Sequence, residues 1–270
     1  MNVTHNINPI LEFEEEFNFI QSDAYYELGV RAVLKIPQYF WFIAASSTSK
    51  YHPKSSLGLA GLYRHTKAAT KTALCLLDHP IYKEQFPANK KDEIVLALVL
   101  HDACKRGSSD IPEEHTRYDH PKLVRERCQP WESGEIASDT IKEMWNNICD
   151  LIETHMGIWV NDKEGNAVLA APSTEAQQFV HLCDYISSRS FIEIDTQNRT
   201  PSTNTRGSTG KENDWKNGPA SEAQVALMKN LAVKAVQAKL MTDASFDYKG
   251  LTKGKASDMI GELKKLLNLT

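Results

Sequence analysis

Long hydrophobic runs are missing from this chain. The longest, Tyr39–Ala45 and Ile94–Leu100, fall far short of the roughly 18–20 residues that cross a bilayer. The opening MNVTHNINPILEFEEEF is acidic and lacks the basic-then-apolar layout of an export signal, so a cytoplasmic location without membrane contact is expected. Cysteine is sparse and unpatterned. Cys75, Cys104, Cys128, Cys149 and Cys183 are odd in number, widely spaced and contain no CxxC, which argues against a zinc ribbon or a disulfide framework and for small buried side chains. Positive charge is not in excess. Lys and Arg number 31 against 35 Asp and Glu, a balance of -4, so no whole-chain field exists to hold nucleic acid nonspecifically. A G-x-S-x-G elbow is absent, which leaves a serine hydrolase without support. GSTGKE at 207–212 imitates a phosphate-binding loop but has Thr205 at the first glycine position and Glu212 after Lys211. Internal repeats and a basic-aromatic platform for oligonucleotides are also missing.

What is there is helical in texture. With 41% hydrophobic and 24% charged residues over 270 positions, the chain has the composition of a folded globular protein of one large or two small domains. Glu12–Glu16 reads as a helical turn with a solvated acidic face, and Tyr39, Phe40, Trp41 and Phe42 as core aromatics. Leu59, Leu62, Thr66, Ala69, Ala73 and Leu76 fall at helical spacing and predict a helix over 57–78. EIVLALVLHDACKRG is apolar nearly all round, which suits a buried helix stopped by Gly107, with a central strand as the alternative. Amphipathic helices are expected over Ile136–Thr154 and over Ser173–Ile192, the latter capped by Ser173 or Thr174. No βα alternation appears, so the fold class expected is all-α. Residues 196–221 contain no Val, Ile, Leu, Met or Phe and read as a mobile loop or linker. The expected organisation is a main domain over 1–195, that linker, and a C-terminal helical segment over 222–270. Its short tail, striped by Met259, Ile260, Leu263, Leu266 and Leu267, is expected to dock on the main domain or serve as an interaction module.

Histidines and aspartates recur at helix ends and inner faces: His65, His101-Asp102, His120, His155 and Asp184. An adjacent His-Asp pair closing an apolar helix is costly to bury without a partner, and a divalent cation is such a partner. The ordered series His65, His101-Asp102, Asp184 resembles the H…HD…D signature of the HD superfamily of metal-dependent phosphohydrolases. SKYHPKSSLGLAGLYRHTKAA is similar to the first motif of its bacterial and phage members. The resemblance covers roughly residues 35–195.

That resemblance implies an all-α HD-domain helical bundle with the metal site in a cleft between helices. It implies that His65, His101, Asp102 and Asp184 hold one ion, and that Asp102 bridges to a second held by His120 and His155. Met156 stands where two-metal relatives often carry a further histidine, so one ion or two are implied, drawn from Mn, Fe, Mg, Co, Ni or Zn. The implied reaction is attack of metal-activated water on phosphorus, with Asp102 at the reacting centre. Lys105, one helical turn past the His-Asp pair, is expected to steady phosphate charge. His52, in YHPKSS, is a candidate to line the substrate pocket. Arg64 reads as a surface residue, Arg189 as a salt-bridge partner, and His181, one turn from Asp184, as a residue placed to orient that carboxylate. The expected partner is a small phosphorylated substrate, most readily a nucleotide, with oligomeric state open. Two alternatives stand: a 3′-to-5′ exonuclease on single-stranded nucleic acid, possible but less favoured, and a non-catalytic binding or regulatory module on the same fold.

Overall fold

The most apolar stretch of the chain becomes its central helix, and the rest of the first unit is wrapped around it. The computed structural model describes residues 7–46, 51–194, 219–220, 222–237, 240–243 and 250–267. By compactness the chain divides into two units, Met1–Arg199 and Thr200–Thr270. Within the first run α1 (Pro9–Glu12), α2 (Glu14–Phe19), α3 (Asp23–Val33), α4 (Gly61–Asp78), α5 (Pro80–Lys83), α6 (Ala88–Leu100), α7 (His120–Arg127), α8 (Asp139–Glu153) and α9 (Glu175–Ser187), with single 3-10 turns at Gln38–Trp41 and Lys54–Ser56. Among the described residues there is no strand, and the fold is all-α. The strand alternative for the apolar run around 94–100 is thereby removed.

Helix α6 packs against α3, α4, α8 and α9. Ile94 through Leu100 are each fully buried, which is why this helix shows no polar face. Its buried carboxylates have partners. Asp92 accepts the backbone N–H groups of Gln21 and Ser22, both at 3.0 Å, at the entry to α3. Glu93 accepts from the Tyr25 hydroxyl at 2.5 Å and from Asn147 on α8 at 3.1 Å. Burial of these polar groups is tolerable because each satisfies a donor on a neighbouring helix.

Several sequence expectations shift by a turn. Helix α4 begins at Gly61, because Gly58 and Ala60 adopt left-handed backbone (φ +69° and +57°). Leu59 is left outside the helix and exposed, and Leu77 rather than Leu76 completes the buried stripe. Helix α8 starts after Ser138, whose hydroxyl accepts the Ile141 N–H, so Ile136 stays in solvent. Thr174, not Ser173, caps α9 and forms a capping box with Gln177. That helix stops at Ser187, short of Ile192. Tyr39, Phe40 and Trp41 are buried as expected.

The acidic face of the first turns is only partly solvated. Glu16 is 1% exposed, takes the Lys67 ammonium at 2.6 Å and accepts the Thr70 hydroxyl at 2.6 Å. Both partners come from α4, which packs against α2. Removing one partner of a buried pair strands the other, so Glu16→Ala should cost about 3 kcal/mol in urea unfolding.

The second unit contains α10 (Glu222–Gln237) and α11 (Lys253–Leu266), the latter capped by the Thr252 hydroxyl. Met228, Leu231 and Ala232 of α10 meet Ala256, Ile260 and Leu263 of α11 in a small core. The tail's apolar stripe thus packs on α10, while Leu266 lies 40% exposed. Most of the expected linker, with the Gly207–Glu212 sequence, lies outside the described residues.

Candidate metal centre

Five elements of the first unit bring the expected residues to one place. His65 comes from the first turns of α4, and His101 and Asp102 from the turn that closes α6. His120 opens α7, His155 follows the end of α8, and Asp184 comes from α9. The closing turn of α6 is held by Tyr39, whose hydroxyl donates to the Gly107 carbonyl at 2.7 Å and accepts the Arg106 N–H at 2.9 Å. Gly107 adopts φ +96°, which ends the turn.

Asp102 lies at the middle of the set. Its Oδ2 is 3.5 Å from Nε2 of both His65 and His101. Its Oδ1 is 3.0 Å from His120 Nε2 and 3.6 Å from His155 Nε2. One carboxylate therefore presents a different oxygen to each of two imidazole pairs. Asp184 Oδ1 lies 3.0 Å from His65 Nε2 and 3.6 Å from His101 Nε2. Three overlapping sets of side chains, His65–His101–Asp102, His101–His155–Asp184 and Asp102–His120–His155, have ligand atoms close enough to share an ion.

The orientation of these rings is set by the backbone. Nδ1 of His101 faces the Leu98 carbonyl at 2.7 Å, Nδ1 of His120 the Arg117 carbonyl at 2.7 Å, and Nδ1 of His155 the Ile152 carbonyl at 2.8 Å. A carbonyl accepts only, so each Nδ1 carries a proton, and in the neutral imidazole Nε2 keeps the lone pair that a metal ion would take. His65 Nδ1 instead faces the Ser187 hydroxyl at 3.4 Å, and that hydroxyl donates to the Asp184 carbonyl at 2.8 Å. Ser187 and the three carbonyls were missed in the sequence, because a carbonyl three residues upstream leaves no mark on side-chain type.

The cluster is buried except on one side. The side chains of His65, His101, Asp102, His120 and His155 are at most 1% exposed, whereas Asp184 is 16% and Lys105 12% exposed. Lys105 Nζ meets Asp102 Oδ2 at 2.5 Å. Burial pushes the Asp102 carboxyl up, but Lys105, His101 and hydrogen bonds from His120 and His155 outweigh it and hold it well below its usual range. For Asp184, burial is likewise overcome by His101 and His65. His101 is raised: burial opposes its charge, and Asp102 and Asp184 favour it more. His155 is lowered, chiefly by burial. Two ionised carboxylates and four imidazoles with Nε2 turned inward form a donor set that fits a divalent ion of the imidazole-tolerant kind.

His52 borders this centre. Its ring lies 5.1 Å from that of His65, and its Nδ1 is buried with no hydrogen-bond partner. Burial and then His65 push it down to about 3. A group depressed from 6.5 to about 3 on folding opposes the folded state as pH falls between those values. His155 acts in the same direction, while His101, raised, changes nothing below 6.5. The metal-free protein should therefore lose stability as pH falls below 6.5, and His52→Gln should flatten that slope in thermal unfolding followed by circular dichroism.

Three neighbours differ from expectation. Arg64 is no plain surface residue: its guanidinium donates to the carbonyls of Ser55 at 2.5 Å and Leu57 at 3.0 Å and pins the loop after His52. Arg189 lies 4.1 Å over the Tyr185 ring rather than in a salt bridge. His181 supports the other side of the site, with Nδ1 2.7 Å from the His155 carbonyl rather than at the Asp184 carboxylate.

Residues 62–189, which span the whole cluster, match the family model of the HD domain. Residues 200–267 match the model described as mitochondrial helicase Irc3, C-terminal domain. No curated protein and no solved structure matches the chain. No helix among the described residues is long and apolar enough to cross a membrane.

Proposed function

We propose that this chain, whose residues 62–189 match the family model of the HD domain, is a metal-dependent phosphohydrolase whose substrate is a nucleotide or a related small phosphate compound. The observation that carries this reading is the inward set of Nε2 atoms around Asp102, with each of its oxygens turned to a different imidazole pair. His65, His101, Asp102 and Asp184 would hold one ion. Asp102, His120 and His155 would hold a second where two are bound. When bound, a divalent ion supplies charge neutralisation for phosphoryl oxygens and lowers the pKa of nearby water.

The chain's own residues do the rest. The backbone carbonyls behind His101, His120 and His155 fix the rings in one tautomer, so no reorganisation is needed when substrate arrives. Lys105, on the open side, offers a mobile ammonium that can leave Asp102 for a phosphoryl oxygen once that carboxylate is otherwise neutralised. His52, held neutral by burial, closes the wall beside His65 and meets the substrate without adding charge. Its orphaned Nδ1 is available to a substrate polar atom. Free thiols, four of them buried, suit the reducing cytoplasm.

A second reading is favoured by a specific observation. Residues 200–270 carry 11 Lys and Arg against 7 Asp and Glu, a balance of +4, whereas residues 1–199 carry 20 against 28, a balance of -8. The basic share falls where the helicase-domain model matches. A nucleic-acid substrate presented by the C-terminal unit, as for a 3′-to-5′ exonuclease, fits that partition. A non-catalytic module has no such support.

Hydrolysis assays with Mn²⁺ or Mg²⁺ on nucleoside phosphates and on single-stranded oligonucleotides separate these. Phosphate release from mononucleotides is expected. Degradation of oligonucleotides alone selects the second reading, and no hydrolysis with any divalent ion refutes both.

A further inference from the structure

Next to Asp184 in the chain, and on the turn after His155, two large aromatic rings are left in solvent. Trp159 is 51% and Tyr185 37% exposed. Their planes lie within 15° of parallel with centroids 6.3 Å apart, and the Arg189 guanidinium sits 4.1 Å over the Tyr185 ring. His181 packs against both, 6.4 Å from Trp159 and 5.9 Å from Tyr185.

The placement of this shelf is tied to the metal centre by short, rigid connections. Tyr185 directly follows Asp184 on α9, about 100° around the helix from the carboxylate that is the most exposed of the clustered side chains. Trp159 lies four residues past His155. The turn between them is clamped onto α9 by two features. His181 Nδ1 is 2.7 Å from the His155 carbonyl, and Gly157, at φ +67°, fits against the His181 ring, where a Cβ would collide with the ring. The same clamp therefore sets His155 and Asp184 in the cluster and Trp159 and Tyr185 at its edge.

Flat aromatic faces held in water next to a phosphate-directed centre, with a guanidinium over one of them, match the π-face of a nucleobase. We propose that Trp159, Tyr185 and Arg189 form the subsite for the base of a nucleotide or nucleic-acid end whose phosphate lies at the His–Asp cluster. This rests on the phosphohydrolase reading and narrows its substrate class to esters that carry a base. Stacking supplies the hold, so purines should be favoured over pyrimidines by ring area and discrimination among bases of one size should be weak.

The test compares Trp159→Ala and Tyr185→Ala with the wild-type protein, with Tyr185→Phe as the conservative variant. Substrates are AMP, a short single-stranded oligonucleotide, and ribose 5-phosphate as the base-free control. Loss of a stacking partner should raise KM for the base-carrying substrate roughly ten- to hundredfold. Its kcat should hold, hydrolysis of ribose 5-phosphate should be unchanged, and Tyr185→Phe should behave as wild type. Whether AMP or only the oligonucleotide shows the effect distinguishes a free nucleotide from a strand end. Equal losses on ribose 5-phosphate, or unchanged KM for every base-carrying substrate, overturn the proposal. Calorimetric titration of AMP and of the oligonucleotide is read independently of turnover. If the wild-type protein hydrolyses nothing, the hydrolase reading fails. The shelf is then judged by titration alone: weaker binding in both alanine variants sustains it, and equal or absent binding in all three proteins rejects it.

Discussion

Asp102→Ala should abolish divalent-metal-dependent phosphohydrolysis, with a fall in kcat/KM on the order of 10³-fold or more. The size of the effect follows from position. Among the described residues no other side chain reaches all four imidazoles: its two oxygens lie between 3.0 and 3.6 Å from His65, His101, His120 and His155. Losing it removes a ligand from both halves of the centre at once, where losing His120 or His155 removes one from a single half. Asp102 is also the partner of Lys105. Alanine leaves that ammonium half-buried beside imidazoles, so part of any loss could come from misfolding. Asp102→Asn separates the two causes. It keeps the shape and still accepts from Lys105, but it gives up the negative charge that a cation requires. Activity should be lost in both variants, while thermal unfolding in chelator should show Asn tolerated better than Ala.

Trp145→Ala should produce the largest loss of stability, about 3–5 kcal/mol. The side chain is 1% exposed and among the largest fully buried ones. Its indole N–H donates to the Arg125 carbonyl at 3.1 Å and so ties α8 to α7. Alanine would leave both a cavity and an unsatisfied carbonyl. These two helices carry His155 at the end of one and His120 at the start of the other, so the same variant should loosen the second half of the centre. Urea unfolding measures the first effect. Weaker metal binding under conditions where the variant remains folded measures the second. Trp145→Phe, which fills most of the space and loses only the N–H, should cost clearly less.

The sequence made the all-α architecture and the central helix legible because apolar periodicity survives in a single chain. It made the metal-binding candidates legible because His65, His101-Asp102, His120, His155 and Asp184 fall in an ordered series. Packing against distant segments was hidden. Glu16 looked like part of a solvated acidic turn until α4 supplied Lys67 and Thr70. Ile136 looked like the first residue of an amphipathic stripe, yet the Ser138 cap starts the helix beyond it. The ring orientation of the histidines depends on main-chain carbonyls, which have no letter in a sequence. The aromatic shelf was hidden for another reason: Trp159 and Tyr185 lie far apart in the chain and are brought together by their own stacking and by the contact of His181 with the turn after His155. The charge partition was present throughout, but the overall balance of -4 concealed a +4 segment behind a -8 one.

The most direct test of the central claim is elemental analysis of the purified protein after Mn²⁺ reconstitution and removal of free metal, beside Asp102→Asn treated in the same way. The account predicts one or two ions per chain in the natural protein and a near-complete loss in the folded variant. A folded Asp102→Asn chain with the full complement, or a natural protein that retains no ion, would contradict it.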